Sequence, residues 1–279
     1  MELLARTVVE GFLMGLHTSL HLGFSLDFAE YRPYYPGDDI RRIDWKAFGR
    51  SDRLYVKRYR GETTTSCYIM LDISPSMSYG SGKITKLEYG QYLAASLAYL
   101  VAMQLDAVGY VTLDQKLVEY IPAKSRRGHL HLILSTIERA KTGSATRLEK
   151  PLHDLADLVY KRGLIVLISD LCDEPETVLN GLKHFRFNGH DVIVFHVLDD
   201  YEVKFPFDKA ALFTDMETGA EMHVQPEMLR AEYTAAMQKH IDLYSRECVN
   251  ANIDYVLLRT SVPLDFALYS YLVRRSKHG

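Results

Sequence analysis

The 279-residue chain has only three cysteines, Cys67, Cys172 and Cys248, which lie far apart with no C-x-x-C spacing. That excludes a disulfide framework and a thiolate metal cluster, and an odd number of isolated thiols fits a reducing compartment. Eleven histidines form no H-E-x-x-H or mixed Cys/His spacing, which excludes the common zinc sites. No Walker A or G-x-G-x-x-G loop is present, so the chain has no glycine-rich cradle for nucleotide phosphates, and any ATP hydrolysis is expected of a partner. Neither sign of charge dominates. Lys plus Arg number 33 against 36 Asp plus Glu, a net charge of −3, which argues against a chain built chiefly to neutralise nucleic acid or an anionic membrane. There is no internal repeat, low-complexity tract or flexible Gly/Ser linker. The N-terminal apolar stretch is interrupted by Glu2, Arg6 and Glu10 and lacks a small-residue cleavage pattern, so a secretory signal is not expected and a cytoplasmic location is. Residues 92–113 are apolar enough to resemble a membrane span. Asp106 and Gly109 cut them, giving a buried helix to about Leu105, a tight turn over 106–109 and a core strand at 110–113.

What the chain does have is an apolar fraction of 47% and a charged fraction of 25%, ordinary for a soluble globular protein with one large core and an added subdomain. From Tyr68 onward short apolar runs alternate with helical patterns, the signature of crossover units around a mainly parallel sheet. Strands are expected at 67–72, 108–113, 117–121, 163–169, 191–198 and 253–258. Helices are expected at 87–105, 130–140, 148–160, 174–184, 226–250 and after Pro263. The strand Gly163 to Ser169 is apolar on both faces, as when helices cover a sheet on each side. Residues 1–62 read differently: a helix over 3–16, then strand-like alternation at 24–35 and 54–60 around a charged, turn-rich centre. They are expected to form an accessory subdomain, with residues 63–279 as the main domain. Residues 201–224 suggest an extra hairpin or an irregular loop.

The most informative residues are Asp72, Ser74 and Ser76, at the carboxyl end of the first parallel strand. In an extended or gently turning backbone alternate side chains point the same way, so a carboxylate and two hydroxyls converge on one point. Mg²⁺ favours such oxygen ligands in near-octahedral geometry and retains waters, with Mn²⁺ as the alternative ion. Asp170 ends the strand at 163–169, and Thr146 lies in the loop before the helix at Leu148. Both are expected at the same sheet edge, where open α/β sheets bind ligands. The competing reading makes Asp72, Ser74, Ser76 and Asp170 helix caps and turn residues. Asp173 could take the place of Asp170 near the ion, but after Cys172 it reads rather as a cap.

Other groups are weighed the same way. Residues 32–60 hold nine Lys or Arg and four Asp, either a docking or nucleic-acid patch or a set of ion pairs. Pairing with Asp38, Asp39 and Asp44 suits the bidentate geometry of arginine, and Trp45 is expected to pack against that network. His129 and His131 are two apart in a helix and should face different ways. Cys172 has no evident histidine partner and reads as an inert thiol.

Asp72, Ser74 and Ser76 resemble the D-x-S-x-S motif of the metal-ion-dependent adhesion site in von Willebrand factor type A (VWA) domains, with Thr146 and Asp170 matching its later threonine and aspartate. A longer resemblance runs from Phe28-Ala-Glu-Tyr-Arg-Pro-Tyr-Tyr-Pro-Gly-Asp-Asp-Ile-Arg-Arg-Ile-Asp-Trp-Lys-Ala-Phe through Arg50-Ser-Asp-Arg-Leu-Tyr-Val-Lys-Arg-Tyr to Leu71-Asp-Ile-Ser-Pro-Ser-Met. It is similar to domain of unknown function family 58, whose bacterial or archaeal members are often linked genomically to MoxR-type AAA+ ATPases. The resemblance implies a VWA-like (Rossmann-like) α/β sheet flanked by helices, preceded by the small β-containing subdomain. It also implies an adaptor or chaperone-like role, with Mg²⁺ held by Asp72, Ser74, Ser76, Thr146 and Asp170 binding an acidic group of a protein partner. Relatives often read Gly-Thr-Asp where this chain has Ala145-Thr146-Arg147. The membrane helices of longer members are not expected here. The expected activity is binding rather than catalysis. The alternatives are a Mg²⁺-dependent phosphotransferase using Asp72, which has Ser74 where a general acid would be needed, and nucleic-acid binding through residues 32–60.

Overall fold

The computed structural model of the protein describes residues 1–3, 5, 6, 8, 9, 28–36, 38, 43–51, 53–59, 66–126, 128–143 and 147–268. Near the N-terminus residues 2, 3, 5, 6, 8 and 9 are helical, and Ala5 is fully buried in the core of the main sheet. The rest of the helix expected over 3–16 lies outside the described residues. The strands expected at 24–35 and 54–60 are β1 (Phe28–Pro33) and β2 (Tyr55–Tyr59), an antiparallel pair connected through the short helix α1 (Trp45–Ser51). The boundary expected at 62/63 falls within residues 60–65, also outside the described set.

Six strands form the main sheet: β3 (Ser66–Asp72), β4 (Ala107–Leu113), β5 (Leu117–Lys124), β6 (Gly163–Ser169), β7 (Asp191–Leu198) and, last in the chain, β10 (Asp254–Arg259). A separate hairpin pairs β8 (Ala211–Thr214) with β9 (Glu221–Val224), resolving the ambiguous 201–224 segment in favour of the hairpin. The order in the sheet is β10-β7-β6-β3-β4-β5, parallel throughout except for the β4–β5 pair at one edge. This is the mainly parallel α/β architecture that the alternating pattern implied.

Side-chain alternation explains why helices cover both faces. Cys67, Ile69 and Leu71 of β3, with Val166 and Ile168 of β6, enter one buried cluster together with α2 (Lys86–Met103) and α3 (His129–Arg139). Tyr68 and Met70, with Ile165 and Leu167, enter the other, against α4 (Glu149–Leu158), α5 (Pro175–Phe187) and α7 (Pro226–Asn250). A strand apolar on both faces is stable only when sandwiched in this way. Gly90 lets α2 close on β3, because a Cβ there would lie 2.8 Å from Leu71 Cδ1.

One local expectation is corrected. The turn placed at 106–109 lies earlier: Leu105 takes a left-handed conformation (φ 63°) just after α2, and β4 already runs from Ala107. The apolar 107–109 segment pairs with β3 instead of turning. Among the described residues no helix is long and apolar enough to cross a membrane.

The chain passes from β3 to β4 on one side, then crosses to β6 and onward to β7 and β10 on the other. The carboxyl ends of β3 and β6 therefore flank the point where strand order reverses, the place where open α/β sheets leave a crevice. Asp72 ends β3, and Ser169 and Asp170 follow at the end of β6.

Candidate functional site

Asp72 is fully buried, one residue beyond Leu71, which pairs with Ile168 in the β3–β6 register. Its Oδ2 accepts a hydrogen bond from Ser169 Oγ at 2.5 Å, and its Oδ1 accepts one from the Ser74 N–H at 2.8 Å. After Asp72 the chain turns through a short 3₁₀ segment, Pro75–Ser78, which brings Ser74 Oγ and Ser76 Oγ to 3.0 Å from each other. The Ser74 hydroxyl helps lower the pKa of Asp72, and that of Ser76 helps lower the pKa of Asp170, so each lies near its carboxylate. Two carboxylates and two hydroxyls from two loops thus form one continuous oxygen cluster, and Asp72, Ser74, Ser76 and Asp170 are brought together as the sequence pattern implied.

Thr146 lies outside the described residues. Both flanks of its loop are nevertheless tied to the cluster. Gly143 N–H donates to the carbonyl of Ile73, between Asp72 and Ser74, at 2.6 Å. Leu148 N–H donates to Asp173 Oδ2 at 2.8 Å, just beyond Asp170. Position 143 requires glycine, since a Cβ there would lie 2.4 Å from Asp114 Oδ2. Asp173 also accepts from Glu174 N–H, but the N-cap of α5 is Glu174, with no side-chain cap, so the capping role expected of Asp173 is corrected.

The structure adds a residue that the sequence reading missed. Lys86, whose side chain is fully buried at the first position of α2, places Nζ 2.7 Å from Asp170 Oδ2 and 2.6 Å from Glu202 Oε1. Glu202 comes from the short helix α6 (Asp200–Lys204), whose N-cap Asp199 accepts hydrogen bonds from Ser81 and Thr260. One signal was available: a lysine in the first helical turn opposes the helix dipole, so it needs a specific anionic partner. Asp170 is not a helix cap. Its Oδ1 accepts from Cys172 N–H at 3.2 Å, and its backbone carbonyl accepts from His196 Nε2 at 2.8 Å. With Nε2 donating, His196 Nδ1 accepts from the Tyr255 hydroxyl at 2.7 Å.

These environments set the charges. Burial, then the nearby Asp170 charge, pushes the Asp72 carboxyl up from 3.8 to about 7, against the hydrogen bonds from Ser169 and Ser74. At Asp170 burial also resists ionisation, but the Lys86 ammonium outweighs it and holds the acid below its ordinary value. Burial likewise works against charge on Lys86, and the two carboxylates overcome it and raise its pKa. At Glu202 burial prevails and the acid is raised, so the two carboxylates on one lysine move in opposite directions. His196 is lowered to about 3, by burial first and then by His240, and stays neutral.

Does a hard cation fit? Adjacent ligands of an octahedral ion at about 2.1 Å stand roughly 3.0 Å apart, which is the Ser74–Ser76 hydroxyl separation. With both acids ionised, Lys86 offsets Asp170, while the buried charge of Asp72 would be offset by a proton or by a cation among the oxygens. Among the described residues no three His, Cys, Asp or Glu side chains gather as a metal cluster, so an ion here would depend on the serine hydroxyls. The donor set fits a hard dication with waters completing its shell.

Elsewhere the expectations divide. Arg32 pairs with Asp38 at 2.7 Å in the β1–β2 region. Asp39, Arg41 and Arg42 lie outside the described residues. Trp45 is 62% exposed, contacting Phe48 edge-on, so the expectation that it packs against the ionic network is corrected: its place at the start of α1 turns the indole outward. His129 bonds the Val108 carbonyl while His131 is exposed, so the two face apart as expected.

A family model described as "Protein of unknown function DUF58" matches residues 30–242. The uncharacterized proteins Rv1480 of Mycobacterium tuberculosis and Mb1516 of Mycobacterium bovis are each 26% identical to this chain over 267 residues, covering 93% of it and 83% of their own length. Among solved structures, an aerotolerance-related membrane protein from Bacteroides fragilis matches with a TM-score of 0.53 at 16% identity, over 77% of this chain and 100% of that one. The conserved hypothetical protein BatB from Bacteroides thetaiotaomicron matches with 0.51 at 15%, with the same coverage. At such identities the likeness shows the fold alone.

Proposed function

Because the chain belongs to the DUF58 family of proteins of unknown function, with a VWA-like α/β fold, we propose that it is a metal-ion-dependent protein-binding adaptor and not an enzyme. In this reading Asp72, Ser74, Ser76 and Asp170, with Thr146 from the adjoining loop, hold Mg²⁺ or Mn²⁺. The observation that carries it is the continuous oxygen cluster at the reversal point of the sheet, with two serine hydroxyls at the spacing of neighbouring octahedral ligands. A hard dication bound there supplies an open coordination position for an acidic side chain of a partner. Asp72, anchored by Ser169 and the Ser74 amide, fixes the loop. Ser74 and Ser76 offer neutral oxygens, so the charge of an ion is left only partly offset and an outside carboxylate is favoured. The partner proposed is a MoxR-type AAA+ ATPase or its client, on the strength of the signature running from Phe28 through Met77.

Asp72 as a phosphoryl nucleophile is the weaker reading. Both its oxygens accept hydrogen bonds, it is fully buried, and Ser74 stands where a second acid would serve as general acid. The test is capture of a MoxR-type ATPase by immobilised full chain. Wild type should retain it in Mg²⁺ and lose it in EDTA, and Asp72→Ala should lose it in both. Equal capture in all four conditions overturns the reading, and Mg²⁺-dependent phosphatase turnover abolished by Asp72→Asn would favour the enzyme.

A further inference from the structure

Lys86 and Glu202 take no part in the reading above, yet they sit at its centre. The Lys86 side chain is fully buried, and its Nζ divides itself between Asp170 Oδ2 and Glu202 Oε1 at nearly equal distances, 2.7 and 2.6 Å. The Tyr79 ring lies 5.9 Å from it. Burying an ammonium is costly unless it is paired, and a first-turn lysine also opposes the helix dipole. Its position is therefore bound up with those carboxylates. Asp170 in turn has both oxygens engaged: Lys86 on Oδ2, the Cys172 amide on Oδ1.

A cation among Asp72, Ser74 and Ser76 would meet this arrangement directly. It would draw on the same Asp170 carboxylate that Lys86 holds, and the buried ammonium would repel it at short range, where screening by water is weak. We propose that Lys86 is a tethered counter-cation that competes with a divalent ion for Asp170 and so sets the metal affinity of the site. This rests on the reading of the Asp72 cluster as a divalent-cation site. Glu202 makes the exchange feasible: when Asp170 turns to an ion, Lys86 keeps a carboxylate and its charge is not stranded. Because Glu202 also caps the amide of Asp199, and Asp199 holds Ser81 and Thr260, the exchange would pull on α6 and on the loop before α2.

Removing the charge of Lys86 and removing that of Glu202 should move affinity in opposite directions. Mn²⁺ is titrated into the full chain by calorimetry, with the amplitude of the free Mn²⁺ resonance in electron paramagnetic spectra as a second readout, and folding is checked by thermal melts in EDTA. Lys86→Met, which keeps the length and removes the charge, should bind Mn²⁺ at least tenfold more tightly than wild type. Lys86→Arg should stay within about threefold of wild type. Glu202→Gln, which leaves Asp170 as the only carboxylate of Lys86, should bind severalfold more weakly. An unchanged or weakened Lys86→Met, or a Glu202→Gln that binds as well as wild type, overturns the proposal, and the second result decides alone if Lys86→Met does not fold. If wild type binds Mn²⁺ and Asp72→Asn abolishes it while the Lys86 and Glu202 variants all match wild type, this inference fails and the metal site stands. If no form binds Mn²⁺ through Asp72, both fail.

Discussion

The two edges of the main sheet treat positive charge in opposite ways. At the carboxyl edge Lys86 is fully buried and held by two carboxylates. At the amino edge Lys124, Arg126 and Lys161 are exposed around a cleft of about 510 Å³, which Ser66, Tyr68 and Tyr160 also line. The residue types are the same, but the surroundings differ. A solvated cation costs little to keep and contributes little, whereas a buried one is tolerable only as part of a satisfied network. Structural constraint therefore concentrates at the carboxyl edge.

The sharpest way to break this contrast is to remove a charge from each edge. Lys86→Met should lose about 3–5 kcal/mol of stability in EDTA, the usual consequence of stranding buried carboxylates, while Lys124→Met should stay within about 0.5 kcal/mol. Equal effects in urea melts would show that the Lys86 network is not the special feature claimed for it. Next in size, Gly143→Ala drives a methyl group into the Asp114 carboxylate and should cost about 1–3 kcal/mol. The same variant should weaken Mn²⁺ binding, because Gly143 ties the Thr146 loop to Ile73, and unchanged binding would detach that loop from the site.

Asp72→Asn should do the reverse and stabilise the metal-free fold, by about 1–2 kcal/mol at pH 8. The sign follows from its raised pKa. The folded state takes up the Asp72 proton more readily than the unfolded chain, so wild type loses stability as pH rises from 3.8 to about 7. Asparagine has no such dependence, so its advantage should vanish toward pH 4 and be complete above about 7. A variant less stable than wild type at pH 8 in EDTA would contradict the burial argument. The smallest effect is expected at the exposed Lys204–Asp200 pair, where Lys204→Ala should change stability by under about 0.5 kcal/mol.

The contrast between edges also marks what was legible in the sequence. β3 and β6 could be read because their apolar runs end in polar residues, and D-x-S-x-S placed three oxygens at a strand end by local geometry alone. Asp170 was legible for the same reason. Lys86 was not, since its partners stand 84 and 116 residues away and only the sheet order makes them neighbours. The turn expected at 106–109 failed because Leu105 ended α2 in a left-handed conformation, a state an apolar side chain rarely announces. Trp45 was misjudged because aromatic character alone does not say which way a side chain at the start of α1 points.

On the proposed function, the oxygens at the end of β3 hold a divalent ion. Calorimetric titration of Mn²⁺ into metal-stripped protein tests it most directly. Wild type and Lys124→Ala should each show one saturable site, and Asp72→Asn should show none while melting at or above the wild-type temperature in EDTA. Undiminished Mn²⁺ binding by folded Asp72→Asn would contradict the claim.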